Sequence, residues 1–211
     1  GDTMCGMLET RGYPLARLVV VDSSDVDEDE AEALAGGLSI VSSSEHAGVP
    51  IDRIWTPPAG PGQAKNDGAW LLLQRAPLYD AIYFTDDDME YREGWLARLV
   101  EALEADPRLG VVGAAWAHHQ SHHFIASRPL GGDRRLVYRS NQPGMSLLVR
   151  WACWRECRPF PAKFVRFGYD DTAWVQRARD RGWGVGHIEP EMARHLTRAH
   201  WEDDPSMGGG G

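Results

Sequence analysis

The sequence contains few cysteines and no long apolar run. Its cysteines are Cys5, Cys153 and Cys157. Because three is a small and odd number, a disulfide framework is not expected, and a reducing compartment is favoured. No run of about 18 apolar residues is present, so no transmembrane helix is expected. The first residues lack the basic and apolar regions of a signal peptide. We therefore expect a cytoplasmic protein, and peripheral contact with the inner face of a membrane is compatible with this expectation.

Basic residues are also too few to offset the acidic ones. The formal net charge of -9 argues against a nucleic acid as the main partner. A chain of 211 residues with 43% hydrophobic and 25% charged residues is typical of one soluble globular domain. We assign residues 1–205 to that domain and expect the glycine-rich tail 206–211 to be disordered.

Apolar, β-prone runs alternate with helical patterns along most of the chain. This alternation predicts an α/β fold, a single domain with a mixed central sheet flanked by helices. Two runs around Gly131-Gly132-Asp133 suggest an antiparallel hairpin. The predicted strands cover 18–21, 38–41, 81–85, 109–116, 124–126, 135–138, 145–149, 184–188 and 192–196. The predicted helices cover 3–12, 27–36, 64–75, 94–105, 151–157 and 170–181, with a proline- and glycine-rich loop at 56–63.

Three consecutive carboxylates follow the predicted strand 81–85 directly. Asp86, Asp87 and Asp88 would repel one another at a strand end, and a divalent cation removes that cost. Oxygen ligands suit Mg²⁺ or Mn²⁺, and these ions commonly hold substrate phosphates. Helix capping is the structural alternative, but it requires one acid rather than three. The triplet therefore predicts a metal–phosphate site.

Two further acidic positions fit the same site. Asp22 ends the predicted strand 18–21, and ligands of open α/β sheets bind at the carboxyl ends of strands. Asp170 and Asp171 open a predicted helix, where an acid that faces a cleft could serve as a general base. The alternatives are an N-cap or Asx turn for Asp22 and favourable interaction with the helix dipole for the pair. The residues alone leave both alternatives open.

Histidine, lysine and cysteine add weaker signals. His195 could complete a Mn²⁺ shell beside carboxylates, although a lone histidine on a strand is more often structural. Lys65 lies in a glycine-containing helix start that would favour a phosphate, without a Walker pattern. Cys153 and Cys157 are interpreted as small buried hydrophobic residues. The histidines of 118–123 could suit zinc by spacing, but a surface or acceptor-pocket position is favoured.

In this order the motifs resemble the inverting GT-A glycosyltransferases of family two. The resemblance rests on the first-acid segment 19–25, the glycine-rich helix start 60–68, the DXD motif 83–88, the acid pair 168–171 with Arg177, and His195. The last third is particularly similar to the galactofuranosyltransferase branch, in which an aromatic residue and two aspartates open the helix and a histidine follows a proline. The resemblance implies a GT-A fold and the metal-dependent, inverting transfer of a sugar from a nucleotide-diphosphate donor, with a UDP-sugar favoured, to a hydroxyl of a glycan or small molecule.

The resemblance also implies a role for each candidate residue. The metal, Mn²⁺ or Mg²⁺, would be bound by Asp88, Asp86 and His195. Asp171 would be the catalytic base, and Asp170 would orient the acceptor. The donor would be contacted by Asp22, Ser24, Asp25, Lys65, Asp86 and, in a mainly structural role within the triplet, Asp87.

Family members usually begin with an apolar strand before the first helix, and this sequence starts within that helix. The missing strand normally lies between the strands predicted at 18–21 and 81–85. Its absence implies a truncated chain, direct pairing of the two neighbours, or another segment in the gap. It also keeps a second function open, a catalytically silent module that binds a nucleotide-sugar or glycan. A nucleotidyltransferase would need a basic glycine-rich signature near the N-terminus, and a phosphatase with an Asp86 nucleophile would leave the second acid pair and His195 unused.

Overall fold

The computed structural model describes residues 15–23, 39–46, 48–57, 59–75, 79–115, 123–162 and 169–196. The predicted helices 3–12 and 27–36 and the tail 206–211 lie outside these ranges. The described strands are β1 Leu18–Asp22, β2 Ser39–His46, β3 Val49–Trp55, β4 Ala81–Thr85, β5 Met89–Tyr91, β6 Leu109–Gly113, β7 Phe124–Gly131, β8 Arg134–Arg139, β9 Ser146–Arg150, β10 Gly184–Glu189 and β11 Ala193–His195. The described helices are α1 Pro61–Arg75, α2 Trp95–Ala105, α3 Trp151–Cys157 and α4 Asp170–Asp180.

A mixed six-stranded sheet forms the centre of the fold, in the order β4-β9-β6-β10-β8-β7. Only β6 and β10 run parallel, and the other neighbours are antiparallel. The predicted hairpin is confirmed as β7 and β8, which form one edge of the sheet. The expected α/β architecture with a mixed central sheet is therefore confirmed.

The six-stranded sheet is covered by helices on both faces because its strands are apolar on both sides. Neighbouring residues point to opposite faces of a strand. Val112 and Leu148 belong to the core under α2, whereas Val111 and Val149 belong to the core under α1, α3 and α4. The central strands β6 and β9 are thus almost fully buried, as expected for strands between two helical layers, whereas the edge strand β7 is exposed along most of its length.

A separate three-stranded sheet has the order β1-β3-β2, with β1 and β3 parallel. All five residues of β1 are only partly buried. Within the described residues β1 pairs with β3 and β4 pairs with β9, so direct pairing of β1 with β4, one of the alternatives for the missing strand, is not observed there. Helix α1 packs on β1, and a Cβ at Gly68 would lie 2.9 Å from Val21 Cγ2.

Two strands were not predicted, and one helix starts earlier than expected. Two predicted strands are longer than expected, since β2 ends at His46 rather than at residue 41 and β7 ends at Gly131 rather than at residue 126. The pattern did not predict β3, in which Pro50, Asp52 and Arg53 interrupt the apolar run, nor β5, which has three residues. The predicted loop 56–63 was too long, because α1 begins at Pro61 rather than at residue 64. Proline suits the first helical position, where its missing N–H is not required. Gly60 precedes it with a φ of 90°.

None of the helices in the described ranges has the length and hydrophobicity that are needed to cross a membrane.

Candidate active site

The acidic triplet forms a tight turn that connects β4 to β5. The short strand β5 pairs with β11, so that His195 lies opposite Met89. The Leu196 amide donates to the backbone oxygen of Asp88 at 2.8 Å, which extends this pairing to the turn itself. The two-stranded sheet of β5 and β11 therefore brings a histidine about a hundred residues away in sequence next to the acidic turn.

Asp86, Asp88 and His195 form one cluster of potential metal ligands. One donor atom from each lies within 4.8 Å of the others. His195 Nε2 lies 3.0 Å from Asp88 Oδ1. Two carboxylates and an imidazole form a donor set that fits Mn²⁺ or Mg²⁺. Asp87, the middle residue of the triplet, is exposed on the turn and is not part of this cluster.

The charge state of Asp86 reflects its position between cations and anions. Burial is the largest influence and raises the pKa of Asp86. The charge of Lys65 opposes this effect, Asp88 adds to it, and smaller contributions come from His195 and Asp171. A buried carboxylate with a raised pKa beside a second carboxylate is stabilised in its charged form by a bound cation.

Asp170 and Asp171 occupy the first turn of α4, as the sequence predicted. Tyr169, immediately before the helix, has a φ of 72°, a left-handed conformation that is uncommon for a non-glycine residue. Asp170 is 3% exposed, and its Oδ2 lies 3.7 Å from Lys65 Nζ. A Cβ at Gly62 would lie 3.3 Å from Asp170 Cβ. The absence of a side chain at position 62 thus allows the first turn of α1 to approach the first turn of α4.

Asp171 is more accessible than Asp170 and is held by backbone amides. Its Oδ2 accepts a hydrogen bond from the Gly144 N–H at 2.6 Å, and its Oδ1 accepts one from the Thr172 N–H at 2.6 Å. A Cβ at Gly144 would lie 2.7 Å from Asp171 Cβ. Because Asp171 contributes to the electrostatic environment of Asp86, the second acid pair and the metal cluster share one site.

Asp22 lies at the end of β1, the strand on which α1 packs. Its Oδ2 accepts a hydrogen bond from Arg53 Nη2 on β3 at 2.5 Å. The predicted donor contacts Ser24 and Asp25 lie outside the described residues. The first turns of α1 connect the two regions, since Lys65 is near Asp86 and Asp170 while Gly68 packs on β1.

Some residues that shape this site were not predicted. The side chain of Asn66 makes two hydrogen bonds with the backbone of Phe160, at 3.0 and 2.7 Å. Arg177, which the sequence placed in the acid-pair motif, donates to the backbone oxygens of Cys157 and Pro159 at 2.8 and 2.6 Å. These contacts hold residues 157–160, at the end of α3, in place. The one local signal for Asn66 in the sequence is that it directly precedes an aspartate near the start of a predicted helix, because Asn and Asp side chains often bond to nearby backbone.

The remaining sequence signals are structural or lie outside the described ranges. Cys153 and Cys157 are free and buried, which confirms their interpretation as core residues. Within the histidine cluster only His123 is described, and its Nδ1 lies 2.8 Å from Ser140 Oγ.

Comparisons with known proteins agree with this geometry. The family model for glycosyl transferase family 2 matches residues 7–166. No curated protein gives a significant match. The mannosyltransferase PcManGT from Pyrobaculum calidifontis, in complex with GDP-Man and Mn²⁺, superposes with a TM-score of 0.57 at 18% identity, over 88% of this chain and 51% of that one. GalNAc-T7, with UDP, GalNAc and Mn²⁺, superposes with a TM-score of 0.62 at 12% identity, over 93% of this chain and 40% of that one.

The chain thus spans about half the length, or less, of these two solved proteins. At such identities the superpositions establish the fold, which is the GT-A fold of nucleotide-sugar transferases. Because the family model covers most of the 211 residues, the chain belongs to glycosyl transferase family 2.

Proposed function

We propose that this protein transfers a sugar from a nucleotide-diphosphate donor, with a UDP-sugar favoured, to an acceptor hydroxyl, with inversion at the anomeric carbon. The observation that carries the proposal is the cluster of Asp86, Asp88 and His195, because its donor atoms lie within 4.8 Å of one another at the end of β4. The solved proteins with the same fold hold a guanosine or uridine diphosphate compound together with Mn²⁺. We extend this ligand class to the present chain.

We propose the following roles for the residues of the site. Asp86, Asp88 and His195 would hold Mn²⁺ or Mg²⁺, which when bound neutralises the charge that develops on the departing diphosphate. Lys65 places a cation between the two acid groups, where it favours a donor phosphate and lowers the pKa of Asp86. Asp22 would contact the nucleotide base from the end of β1.

Asp171 is our candidate for the base. The acceptor oxygen forms a bond to the anomeric carbon while its proton passes to the Asp171 carboxylate. The bond between that carbon and the diphosphate oxygen breaks, and the electron pair leaves with the diphosphate. A single displacement from the opposite face inverts the anomeric centre. Asp170, which is buried against Lys65, would orient the acceptor rather than take the proton.

A thermal-shift screen of UDP, GDP, ADP and CDP, each with and without Mn²⁺, tests donor binding. We expect the largest shift with UDP and Mn²⁺ together, since the ligand stabilises only the folded state. Asp88→Asn should remove the metal-dependent part of the shift. Asp133→Asn, in the exposed turn between β7 and β8, is the matched control and should retain it. No shift with any nucleotide would contradict the proposal.

Release of the nucleoside diphosphate from a nucleotide-sugar distinguishes an active enzyme from a catalytically silent binding module. We expect the chain to release UDP from UDP-sugars in the presence of Mn²⁺ when an acceptor is supplied. A Mn²⁺-dependent shift without any release from a panel of UDP- and GDP-sugars would favour the binding module instead.

A further inference from the structure

Four buried or half-buried hydroxyl groups form a hydrogen-bonded chain that ends at the acidic turn. Ser146 Oγ lies 2.6 Å from Tyr83 Oη, which donates to Tyr91 Oη at 3.2 Å. Tyr91 Oη is hydrogen-bonded to Thr85 Oγ1. Thr85 Oγ1 donates to the backbone oxygen of Asp86 at 3.0 Å. Since each hydroxyl can accept one hydrogen bond and donate another, the four protons can be ordered along the chain without conflict.

The chain of hydroxyls is anchored in the six-stranded sheet. The Ala114 N–H, just after β6, donates to Ser146 Oγ at 3.0 Å. The Ala114 carbonyl accepts from the Met192 amide at 2.8 Å, in the segment that leads into β11. Burial raises the pKa of both Tyr83 and Tyr91, so both remain neutral hydroxyls at physiological pH. The hydrogen-bonded chain of hydroxyl groups therefore persists at physiological pH, because neither tyrosine loses its proton there.

Within this chain, the contact between Tyr91 and Thr85 spans the base of the acidic turn. Thr85 is the last residue of β4 and Tyr91 the last residue of β5, and the turn lies between them. Because β5 also pairs with β11, the position of Tyr91 sets the position of His195 relative to β4. The Tyr91 hydroxyl thus adds a side-chain link between β4 and β5 to the backbone hydrogen bonds that join β5 and the turn to β11.

The acidic turn needs such a contact because its carboxylates repel one another. A carboxylate oxygen of Asp86 and one of Asp88 lie within 4.8 Å of each other, a separation at which two negative charges repel. Without a cation, this repulsion acts to push β4 and β5 apart. The Tyr91 hydroxyl joins the two strands at the base of the turn and opposes that movement.

We propose that Tyr91 is a positioning residue that keeps the metal donors of the metal-free protein in their binding arrangement. This inference rests on the metal site of the proposed function. A site that is already formed binds its ion more tightly, because no free energy is lost in rearranging its ligands. Removal of residues that orient metal ligands typically weakens metal binding by about 10- to 100-fold.

Tyr91→Phe tests the proposal, with Tyr138→Phe as the matched control. Tyr138 Oη also donates a partly buried hydrogen bond, to Asp106 Oδ2 at 2.7 Å, but far along the sheet from the turn. Titration of Mn²⁺ into the full chain without nucleotide, followed by electron paramagnetic resonance, gives the Kd. We expect Tyr91→Phe to raise the Kd about tenfold, as for other residues that orient metal ligands, and Tyr138→Phe to leave it unchanged. An unchanged Kd in Tyr91→Phe, or an equal increase in both variants, would overturn the proposal.

A double-mutant cycle with Asp88→Asn tests the role of repulsion without any metal. If Tyr91 opposes repulsion, Tyr91→Phe should lower the Tm less in the Asp88→Asn background than in the wild type, since the two residues are then coupled. Equal losses of Tm in both backgrounds would refute this role. The cycle requires neither metal nor nucleotide, so it still decides the role of Tyr91 if the wild type binds no Mn²⁺ and the proposed function fails.

Discussion

The two sheets beneath the proposed site are stabilised in different ways. In the six-stranded sheet every residue of β6 is buried, and the strand packs against helices on both faces. In the three-stranded sheet all of β1 is partly exposed. There the buried carboxylate of Asp52 accepts from Arg17 Nη1 at 2.5 Å and from Ser43 Oγ at 2.7 Å. Because β3 also contributes buried apolar side chains, the three-stranded sheet combines apolar packing with buried polar pairs, whereas the centre of the six-stranded sheet is packed mainly by apolar side chains.

This difference follows the proposed division of labour. Asp86 and Asp88 directly follow β4 of the well-packed sheet, the acid pair opens α4, whose residues pack on that sheet, and His195 joins them from the two-stranded sheet of β5 and β11. Asp22, the proposed base contact, belongs to the sheet with the less buried strand. Precise catalytic geometry requires rigid support, whereas binding a nucleotide tolerates more adjustment. Each prediction below tests a part of this difference between the two sheets and their proposed roles.

The largest effect is expected in the core under α4. Trp174 is fully buried, and its ring lies 4.9 Å from that of Phe160 and 5.7 Å from that of Trp154. We expect Trp174→Ala to lower the free energy of unfolding by about 4 kcal/mol. Val20→Ala, in the partly exposed β1, should lower it by only about 1 kcal/mol. Urea denaturation measures both, and similar losses would show that the two sheets are equally well packed.

The next effect concerns chemistry rather than stability. Asp171→Asn removes the proposed base while keeping an oxygen that can accept the Gly144 hydrogen bond. We expect transfer to fall by about a hundredfold or more, with Mn²⁺-dependent nucleotide binding retained. Asp180→Asn, at the other end of α4, is the control and should leave the rate unchanged. Measured diphosphate release close to that of the wild type would show that another group takes the proton.

A smaller effect is expected from the ion pairs of the three-stranded sheet. The Arg17–Asp52 and Arg53–Asp22 pairs both have N–O distances of 2.5 Å, but Asp52 is 2% exposed while the Arg53 side chain is 54% exposed. Arg17→Ala removes a hydrogen-bonded cation from a buried carboxylate and should cost about 2 kcal/mol of stability. Arg53→Ala should cost less than about 1 kcal/mol and depend on salt. Equal losses in urea denaturation would mean that burial does not set the strength of these pairs.

The smallest predicted effect is on the thermal stability near neutral pH, and it comes from a buried histidine in β10. Burial, and then the charge of Arg139, lower the pKa of His187 from 6.5 to about 4. Between these values the unfolded chain binds a proton that the folded protein does not, so stability falls as the pH falls through this window. We expect the Tm to decline from pH 7 to pH 5 and His187→Gln to flatten that decline. His46→Gln, on the exposed part of β2, is the control that should keep the wild-type slope.

The parts of the site that depend on local patterns could be predicted from sequence. The strand 81–85 was predicted with its observed bounds, because an apolar run is followed at once by three charged residues. The acid pair was placed correctly at a helix start for the same local reason. The chemistry of a strand end or a helix start is set by neighbouring residues, which one sequence contains.

The parts that depend on distant partners could not be predicted from local patterns. Strand β3 was missed because Asp52 interrupts its apolar pattern, and its burial depends on Arg17 and Ser43 from other segments. The position of His195 depends on the pairing of β5 with β11, and β5 has only three residues. The sequence proposed His195 as a ligand through resemblance, whereas its distance from Asp88 follows from the pairing of these two short strands.

The close packing of Gly68 on Val21 has a consequence for the dimensions of the proposed nucleotide site. A single added methyl group at position 68 would reach within 2.9 Å of Val21 Cγ2 and would push α1 away from β1. Lys65 lies less than one helical turn earlier, so it would move with the helix and its position relative to Asp170 would change. The width available to a ligand that spans from Asp22 to the acidic turn is therefore determined by the absence of one carbon atom.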